Sequence, residues 1–523
     1  MKPKNVSTAP PTHAQLATSP GRYRSLQGRE FRFTLGGGDD SPPHRRTREA
    51  IPLADPDPVH CAVAEWGYSF HHLKDGQVDG AGQKHYGGYP TPPKTRAEAM
   101  EVVRRYYLRL RETALEKATP EQRRCLISIN GHYCYQHYAC EWGCDVVGSE
   151  VGENINSIQA HIAFTRGAAR QYGKPWLMDF SSWYGPSMFD EDPRRTWGEN
   201  SGPDHGHSMS LHTRTYFCAY MAGANVVVAE GGWLNCFRSQ QSSSDGLLPL
   251  SALGHEAARF YRFTRRHPDR GIPYSPFGLV LPVNHGIYPG FAPKLTWNAF
   301  PYQPGDQRIL NTLNAFFPGS LGDPDQPERP DRQPGDPSWK DPNYMRTEAL
   351  RLVASPFGDT VDVLLSNAPL DILRAYPVLV LAGELGADQT LKARLRAYER
   401  QGGTLVVSPT SRSLLAQTLA RLRQELIPIE VSGRVQTLYN RTPDGWVITI
   451  VNNEGITKAF REAPRIDPKA EKRITIRYTG RGKVARADLW GVDSDTPLLP
   501  TNIRIAVPPG DVRIVKLTLI SRK

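Results

Sequence analysis

Residues 175–180 read Pro-Trp-Leu-Met-Asp-Phe and residues 225–231 read Asn-Val-Val-Val-Ala-Glu-Gly; in each, a short apolar run stops on a carboxylate. The same punctuation occurs at Val59-His60-Cys61-Ala62-Val63-Ala64-Glu65 and at Cys144-Asp145-Val146-Val147-Gly148-Ser149-Glu150. Such runs are too short and too continuously apolar for surface helices, and they read as buried strands. An acid placed one step past each strand of a β–α series is how a (β/α) barrel assembles a site at the C-terminal ends of its strands. Glu65, Glu150, Asp179 and Glu230 are therefore the candidate catalytic residues.

Helical pattern fills the intervals. Thr95-Arg96-Ala97-Glu98 has capping-box spacing, so Thr95 and Glu98 are expected to satisfy each other's free backbone N–H groups. Val102, Val103, Tyr106 and Leu110 then define an apolar face. Another strand is expected at 125–129, with helices at about 157–172 and 208–223. Five strands are visible between residues 58 and 272, too few to close an eight-stranded barrel. Residues 1–57 are rich in Pro, Arg, Ser and Gly, and only Phe31-Arg32-Phe33-Thr34-Leu35 has strand character. They read as an irregular arm or a barrel remnant.

Beyond the barrel, residues 273–428 carry a second α/β pattern. Strands are expected at 277–281, 361–365, 378–383 and 404–407, with a helix through Leu391, Leu395 and Tyr398 that ends at Gly402-Gly403. A Pro/Asp-rich loop at about 319–343 interrupts the unit. From residue 429 to 523 the period changes to two, as in Trp446-Val447-Ile448-Thr449-Ile450-Val451, and a small β-sandwich is expected.

Composition narrows the class. The formal charge of +11 comes from 64 Lys and Arg against 53 Asp and Glu, and the cations form no dense block with interleaved aromatics, so nucleic acid is a poor partner. An acidic polysaccharide suits that charge better. No run reaches the length of a membrane span, and the first thirty residues lack the apolar core of an export signal, so a cytoplasmic location is expected if residue 1 is the natural start. The seven cysteines all fall within the barrel region, at spacings that match no common zinc site; they read as buried core thiols, and neither metal nor cofactor is expected.

Trp66, Trp183 and Trp233 follow three of the acids within a few residues, offering flat apolar surfaces beside carboxylates. His132 follows the strand at 125–129, and His205 and His207 precede the helix at 208–223, so these histidines are candidates for hydrogen bonds to sugar hydroxyls. Two carboxylates are what glycosidic cleavage requires, one to protonate the leaving oxygen and one to stabilise or trap the oxocarbenium-like centre. Arg166 and Arg170 sit within a helix and read as a solvated or salt-bridged face.

The order of units resembles clan A glycoside hydrolases, above all glycoside hydrolase family 42, the β-galactosidase type in which an amidotransferase-like α/β domain and a small β domain follow a TIM barrel. Tyr220-Met221-Ala222-Gly223-Ala224-Asn225-Val226-Val227-Val228 is similar to the entry to that family's eighth strand, Lys174-Pro175-Trp176-Leu177-Met178-Asp179 to its seventh, and Ala64-Glu65-Trp66-Gly67-Tyr68 to the acid/base segment at its fourth. The resemblance implies that Glu65 is the acid/base and that residues 273–428 form trimer contacts. Two departures stand out: Ala64 replaces the family's Asn before the acid, and Asp179 stands where the family has a nucleophilic Glu. Aspartate is one methylene shorter, which sets its carboxylate about 1.5 Å back. Glu150 and, after it, Glu230 are then the candidate partners of Glu65. Residues 273–428 contain no cysteine, so glutamine hydrolysis is not expected of them. The expected activity is retaining hydrolysis of an oligo- or polysaccharide by a homo-oligomer; the alternative is a non-catalytic carbohydrate-binding or scaffold protein on a degenerate glycosidase fold.

Overall fold

A computed structural model describes residues 31–36, 42–55, 60–71, 88–131, 133–152, 157–181, 207–237, 244–287, 295–319, 351–386, 388–458 and 463–520 of the chain. The first sheet has six parallel strands, β1 (Arg32–Leu35), β2 (Cys61–Val63), β3 (Leu126–Asn130), β4 (Val146–Gly152), β5 (Trp176–Ser181) and β6 (Val226–Glu230), in the order β1-β6-β5-β4-β3-β2. That is the cyclic order of a (β/α) barrel with a seam: β1 and β2 lie at opposite edges, and among the described residues nothing pairs them. The arm thus contributes a barrel strand, with Arg32 in register with Val226 and Leu35 with Ala229.

Helices α1 (Pro42–Ala50), α2 (Trp66–His71), α3 (Arg96–Lys117), α4 (Gln136–Glu141), α5 (Ile158–Tyr172), α6 (Met209–Met221), α7 (Gly232–Asn235) and α8 (Ala252–Arg266) cover the convex side. Strand alternation divides the sheet cleanly. Val147, Val151, Trp176, Met178, Phe180, Val227 and Ala229 join the large core beneath the helices. Ile127, Ile129, Val146, Leu177, Val226 and Val228 form a separate small cluster on the concave side. In β6 the concave residues Val226, Val228 and Glu230 are only half-buried, and Ala62 of β2 is exposed, so the interior is an open trough.

Local expectations held with adjustments. Thr95 accepts from the Glu98 amide at 3.1 Å, but the Glu98 carboxylate takes the Lys94 N–H at 2.7 Å instead of that of Thr95. The buried face of α3 is Ala99, Val103 and Tyr107, with Val102, Tyr106 and Leu110 at its margins. The Pro/Asp-rich loop lies largely outside the described residues.

The second unit is a four-stranded parallel sheet, ordered β9-β8-β10-β11, of β8 (Phe277–Leu281), β9 (Val361–Leu365), β10 (Val378–Leu381) and β11 (Thr404–Val407). Helices α9 (Pro304–Phe316), α10 (Leu370–Arg374), α11 (Gln389–Glu399) and α12 (Arg412–Leu426) pack on it. Its β9 edge meets barrel helix α5 so closely that a Cβ on Gly167 would lie 1.8 Å from the Val363 oxygen. The open backbone groups of that edge are taken by barrel side chains: Arg166 donates to the Val361 oxygen at 3.1 Å, His137 Nε2 lies 3.0 Å from the Val363 oxygen, and Gln171 accepts from the Leu365 N–H at 2.9 Å. Arg166 and Arg170 both pair with Asp362, which is fully buried and also accepts from Tyr376 at 2.9 Å.

The C-terminal unit is antiparallel. One sheet runs β12 (Ile429–Val431), β15 (Lys472–Tyr478), β18 (Ile503–Val507); the other runs β17-β16-β19-β14-β13-β7, formed by β7 (Ile272–Pro273), β13 (Gln436–Thr442), β14 (Gly445–Val451), β16 (Lys483–Leu489), β17 (Thr496–Leu498) and β19 (Val512–Ile520). Ile448, Ile450, Ile474, Ile476, Ile503 and Ile505 share its core. A buried relay ties the units together. Arg214 donates to Asn453 at 2.7 Å, Asn453 to Gln436 at 2.7 Å and Gln436 to Asp359 at 2.6 Å, while Gln159 of α5 also donates to Asp359 at 2.7 Å. A donor-only guanidinium at one end and an acceptor-only carboxylate at the other fix the orientation of both amides between them. Among the described residues no helix is long and apolar enough to cross a membrane.

Candidate active site

Register and alternation decide which acids share the trough. Glu150 is in register with Asp179, so the two project from the same face of neighbouring strands. Glu230 is in register with Ser181, two residues further along than Asp179, and so stands about 6.6 Å nearer the mouth. Glu150 and Asp179 are buried, at 5% and 8% exposure, whereas Glu230 is half-buried.

Glu65 arrives differently. Cys61 and Val63 face the core, so continued alternation would send Glu65 the same way. Instead its φ is +46°, a left-handed conformation that is uncommon for a residue with a side chain. The Glu65 amide still closes the ladder on the Ile129 oxygen at 3.0 Å, and the chain then turns straight into α2, where Ser69 donates to the Glu65 oxygen at 2.8 Å. The turn releases the side chain from the core. Burial raises the Glu65 carboxyl above the ordinary glutamate range, and the Glu230 charge raises it further. Its side chain keeps contact with solvent while the trough walls strip part of its hydration. Backbone strain of this kind persists only where the surroundings enforce it. Here the Ile129 bond behind and α2 ahead do so.

The aromatic expectations need correction. Trp66 is fully buried on the convex side: its indole donates to Ser128 at 3.2 Å and packs on Tyr107, Tyr135 and Trp142. Trp233 is 4% exposed, stacked on Phe237 and flanked by His44 and by Arg48 at 5.2 Å. Both indoles serve the core, because the helical turn after each strand end carries them behind the sheet. His207 is fully buried beside Phe180, with ring centroids 6.3 Å apart, immediately before the Ser208 cap of α6. Trp183, His132 and His205 lie outside the described residues. The cysteines are buried apart from Cys125, which is half-buried.

One concave residue escaped the sequence reading. Ser181 is fully buried beside Glu230, and among the described residues its hydroxyl has no hydrogen-bond partner. Its only signal was parity, since it stands two positions after Asp179 on the same strand. Glu65 and Glu230 stand at strand ends, where the Glu230 charge acts on Glu65, with Ser181, Glu150 and Asp179 buried on the concave face. A carboxyl whose pKa is raised by burial and by a neighbouring carboxylate is an arrangement suited to acid catalysis.

No family model matches the sequence, and no curated protein matches it. Among solved structures, the chain is similar to a catalytic mutant of a glycoside hydrolase family 42 β-galactosidase from G. stearothermophilus, with 10% identity, 81% of this chain and 68% of that one covered, and a TM-score of 0.43. A second structure of that enzyme gives 10% identity over 82% and 69% at 0.41. A β-galactosidase from the Antarctic haloarchaeon Halorubrum lacusprofundi gives 13% identity over 87% and 73% at 0.37. The resemblance is to family 42, and it is distant. Likeness at this level carries no residue roles, so those above rest on the chain's own register, burial and charge.

Proposed function

We propose that the protein is a glycoside hydrolase that cleaves an oligo- or polysaccharide in the trough. The observation that carries this reading is the Glu65–Glu230 pair at the strand ends, where burial and the Glu230 charge together favour a proton on Glu65. Glu65 gives that proton to the glycosidic oxygen as the bond breaks, and the Glu230 carboxylate faces the developing positive charge at the anomeric carbon. Glu150 and Asp179, deeper and in register, bind hydroxyls of the ring; Ser181 supplies a further donor. Retention of configuration and a β-galactoside-like substrate are the finer form of the proposal, with an anionic glycan favoured by the net charge of +11. The second reading, a non-catalytic carbohydrate binder, draws on the seam between β1 and β2.

One experiment separates them. The wild-type chain and Glu65→Gln are assayed against neutral, uronic and sulfated glycans, following the first-formed anomer by NMR. Turnover that falls at least a hundredfold in Glu65→Gln, with binding kept, supports hydrolysis. Binding without turnover in the wild type favours the binder, and unchanged turnover in the variant removes Glu65 from the chemistry.

A further inference from the structure

The barrel helices and the C-terminal unit do not close completely on each other. Between them lies a cavity of about 310 Å³, lined by Phe217 of α6, Arg259 and Phe263 of α8, Trp490, Thr496 and Arg513. These side chains come from the outer surfaces of the helices, so the cavity is distinct from the trough on the concave side of the sheet.

Its chemistry has three parts. Phe217 and Phe263 meet edge to face, with centroids 4.8 Å apart, and form an apolar wall. Trp490 is fixed by stacking on His267 at 4.4 Å and 12°, and by the hydrogen bond its backbone N–H donates to the Ile514 oxygen at 2.9 Å, yet the residue stays half-buried and reachable. Both guanidinium groups are locked: Arg259 forms a fork with Glu256, both bonds at 2.7 Å, and Arg513 pairs with Asp511 at 2.5 Å. Each cation thus has its own carboxylate, and the cavity offers no surplus charge to an anion. A purely apolar guest would strip water from these ion pairs without replacing its hydrogen bonds. A neutral guest with an apolar face and a hydroxyl-rich edge satisfies both halves, with Ser494 and Thr496 on the exposed rim. A volume near 310 Å³ is at the small end for ligand sites, which suits one ring rather than a chain.

We propose that this cavity is a second carbohydrate-binding site, taking a single neutral pyranose ring of a glycan. It rests on the reading that the protein engages a glycan and goes beyond the hydrolytic site itself. A site here would hold a polymer against the protein independently of the residue being cleaved.

The test uses the full chain carrying Glu65→Gln, titrated calorimetrically with neutral galacto-, gluco-, manno- and xylo-oligosaccharides. One series is expected to bind with a component that Trp490→Ala, added to Glu65→Gln, weakens at least tenfold, while Glu230→Ala, added instead, leaves it in place. Thr496→Val, at an exposed position, is expected to weaken the same component severalfold and decides the matter if the Trp490 variant fails to fold. The proposal is overturned if no neutral series binds, if binding is indifferent to both cavity variants, or if only uronic oligosaccharides show a Trp490-dependent component. Turnover by the wild type is measured separately, so loss of the hydrolytic reading leaves this result legible.

Discussion

Replacing Asp362 by alanine should loosen the junction between the barrel and the second unit. The carboxylate is fully buried and receives Arg166 Nε at 2.5 Å, Arg170 on its other oxygen and the Tyr376 hydroxyl at 2.9 Å. Burial alone would raise its pKa, but Arg166 and Arg170 outweigh it and hold the group below the usual carboxylate range. Removing the acid leaves the Arg166 side chain, only 4% exposed, with its charge unmatched. Breaking a buried pair in this way costs about 3–5 kcal/mol, and the orphaned tyrosine hydroxyl adds about 1 kcal/mol. A chain of several units does not unfold in two states, so the readout is its first urea transition together with hydrogen exchange of the β9 amides. A double-mutant cycle with Arg166→Ala isolates the pair, with an expected coupling of about 2 kcal/mol. Because the folded pKa is lowered, the contribution is present above the unfolded carboxylate pKa and is lost as pH falls through the folded value; the variant should therefore be less acid-sensitive than the wild type. A loss below about 1 kcal/mol, or a cycle additive within about 0.5 kcal/mol, would mean that Asp362 does not hold the junction.

Other outcomes follow from the same geometry. In Glu230→Gln the charge that raises Glu65 is gone, so the alkaline limb of any residual kcat/KM profile should move to lower pH; an unmoved limb would show that the two acids do not interact. Burial raises the Asp359 pKa from 3.8 to about 6, against the hydrogen bonds from Gln436 and Gln159 and the charge of Arg166. The folded state then keeps a proton that the unfolded chain has released, so stability should fall by about 3 kcal/mol as pH rises from about 4 to 6 and level off above. An Asp359→Asn melting series should lack that slope, and a variant slope equal to that of the wild type would assign it elsewhere. We further propose that the chain self-associates through residues 273–428, where edge strand β11 leaves Val407 at 72% exposure and nearby Leu414 at 53%. Sedimentation at micromolar protein should then give a mass near three times 58.4 kDa, and a stable monomer would reject assembly.

The strands were legible because buried parallel strands announce themselves as continuous apolar runs. Phe277–Leu281, Val361–Leu365 and Thr404–Val407 have the bounds the pattern gave. Gln436–Thr442 was missed, since its buried residues include the polar Gln436, Thr437 and Asn440; Gln436 belongs to the inter-unit relay and Asn440 donates to the Met221 oxygen of α6 at 2.9 Å. Within the site, the acids could be placed at strand ends, but not ranked. Nothing local foretold that Glu65 takes a left-handed turn towards Glu230, because the sequence Ala64-Glu65-Trp66 contains no glycine to mark it. Trp66 and Trp233 misled for a related reason: adjacency in sequence to a strand-end acid says nothing of which side of the sheet the following helical turn presents.

The barrel side chains laid along β9 bear on how the chain can be cut. Every second residue of that edge, Val361, Val363 and Leu365, already has a backbone group answered by Arg166, His137 or Gln171. A fragment starting near residue 273 would expose those groups as a bare template for pairing with other copies, and would tend to aggregate. A barrel fragment ending there would keep Arg166 and lose Asp362. Grafting either unit onto another protein therefore requires carrying α5 and β9 together, and since the barrel emerges first from the ribosome, its helix is in place to receive the edge as it is made.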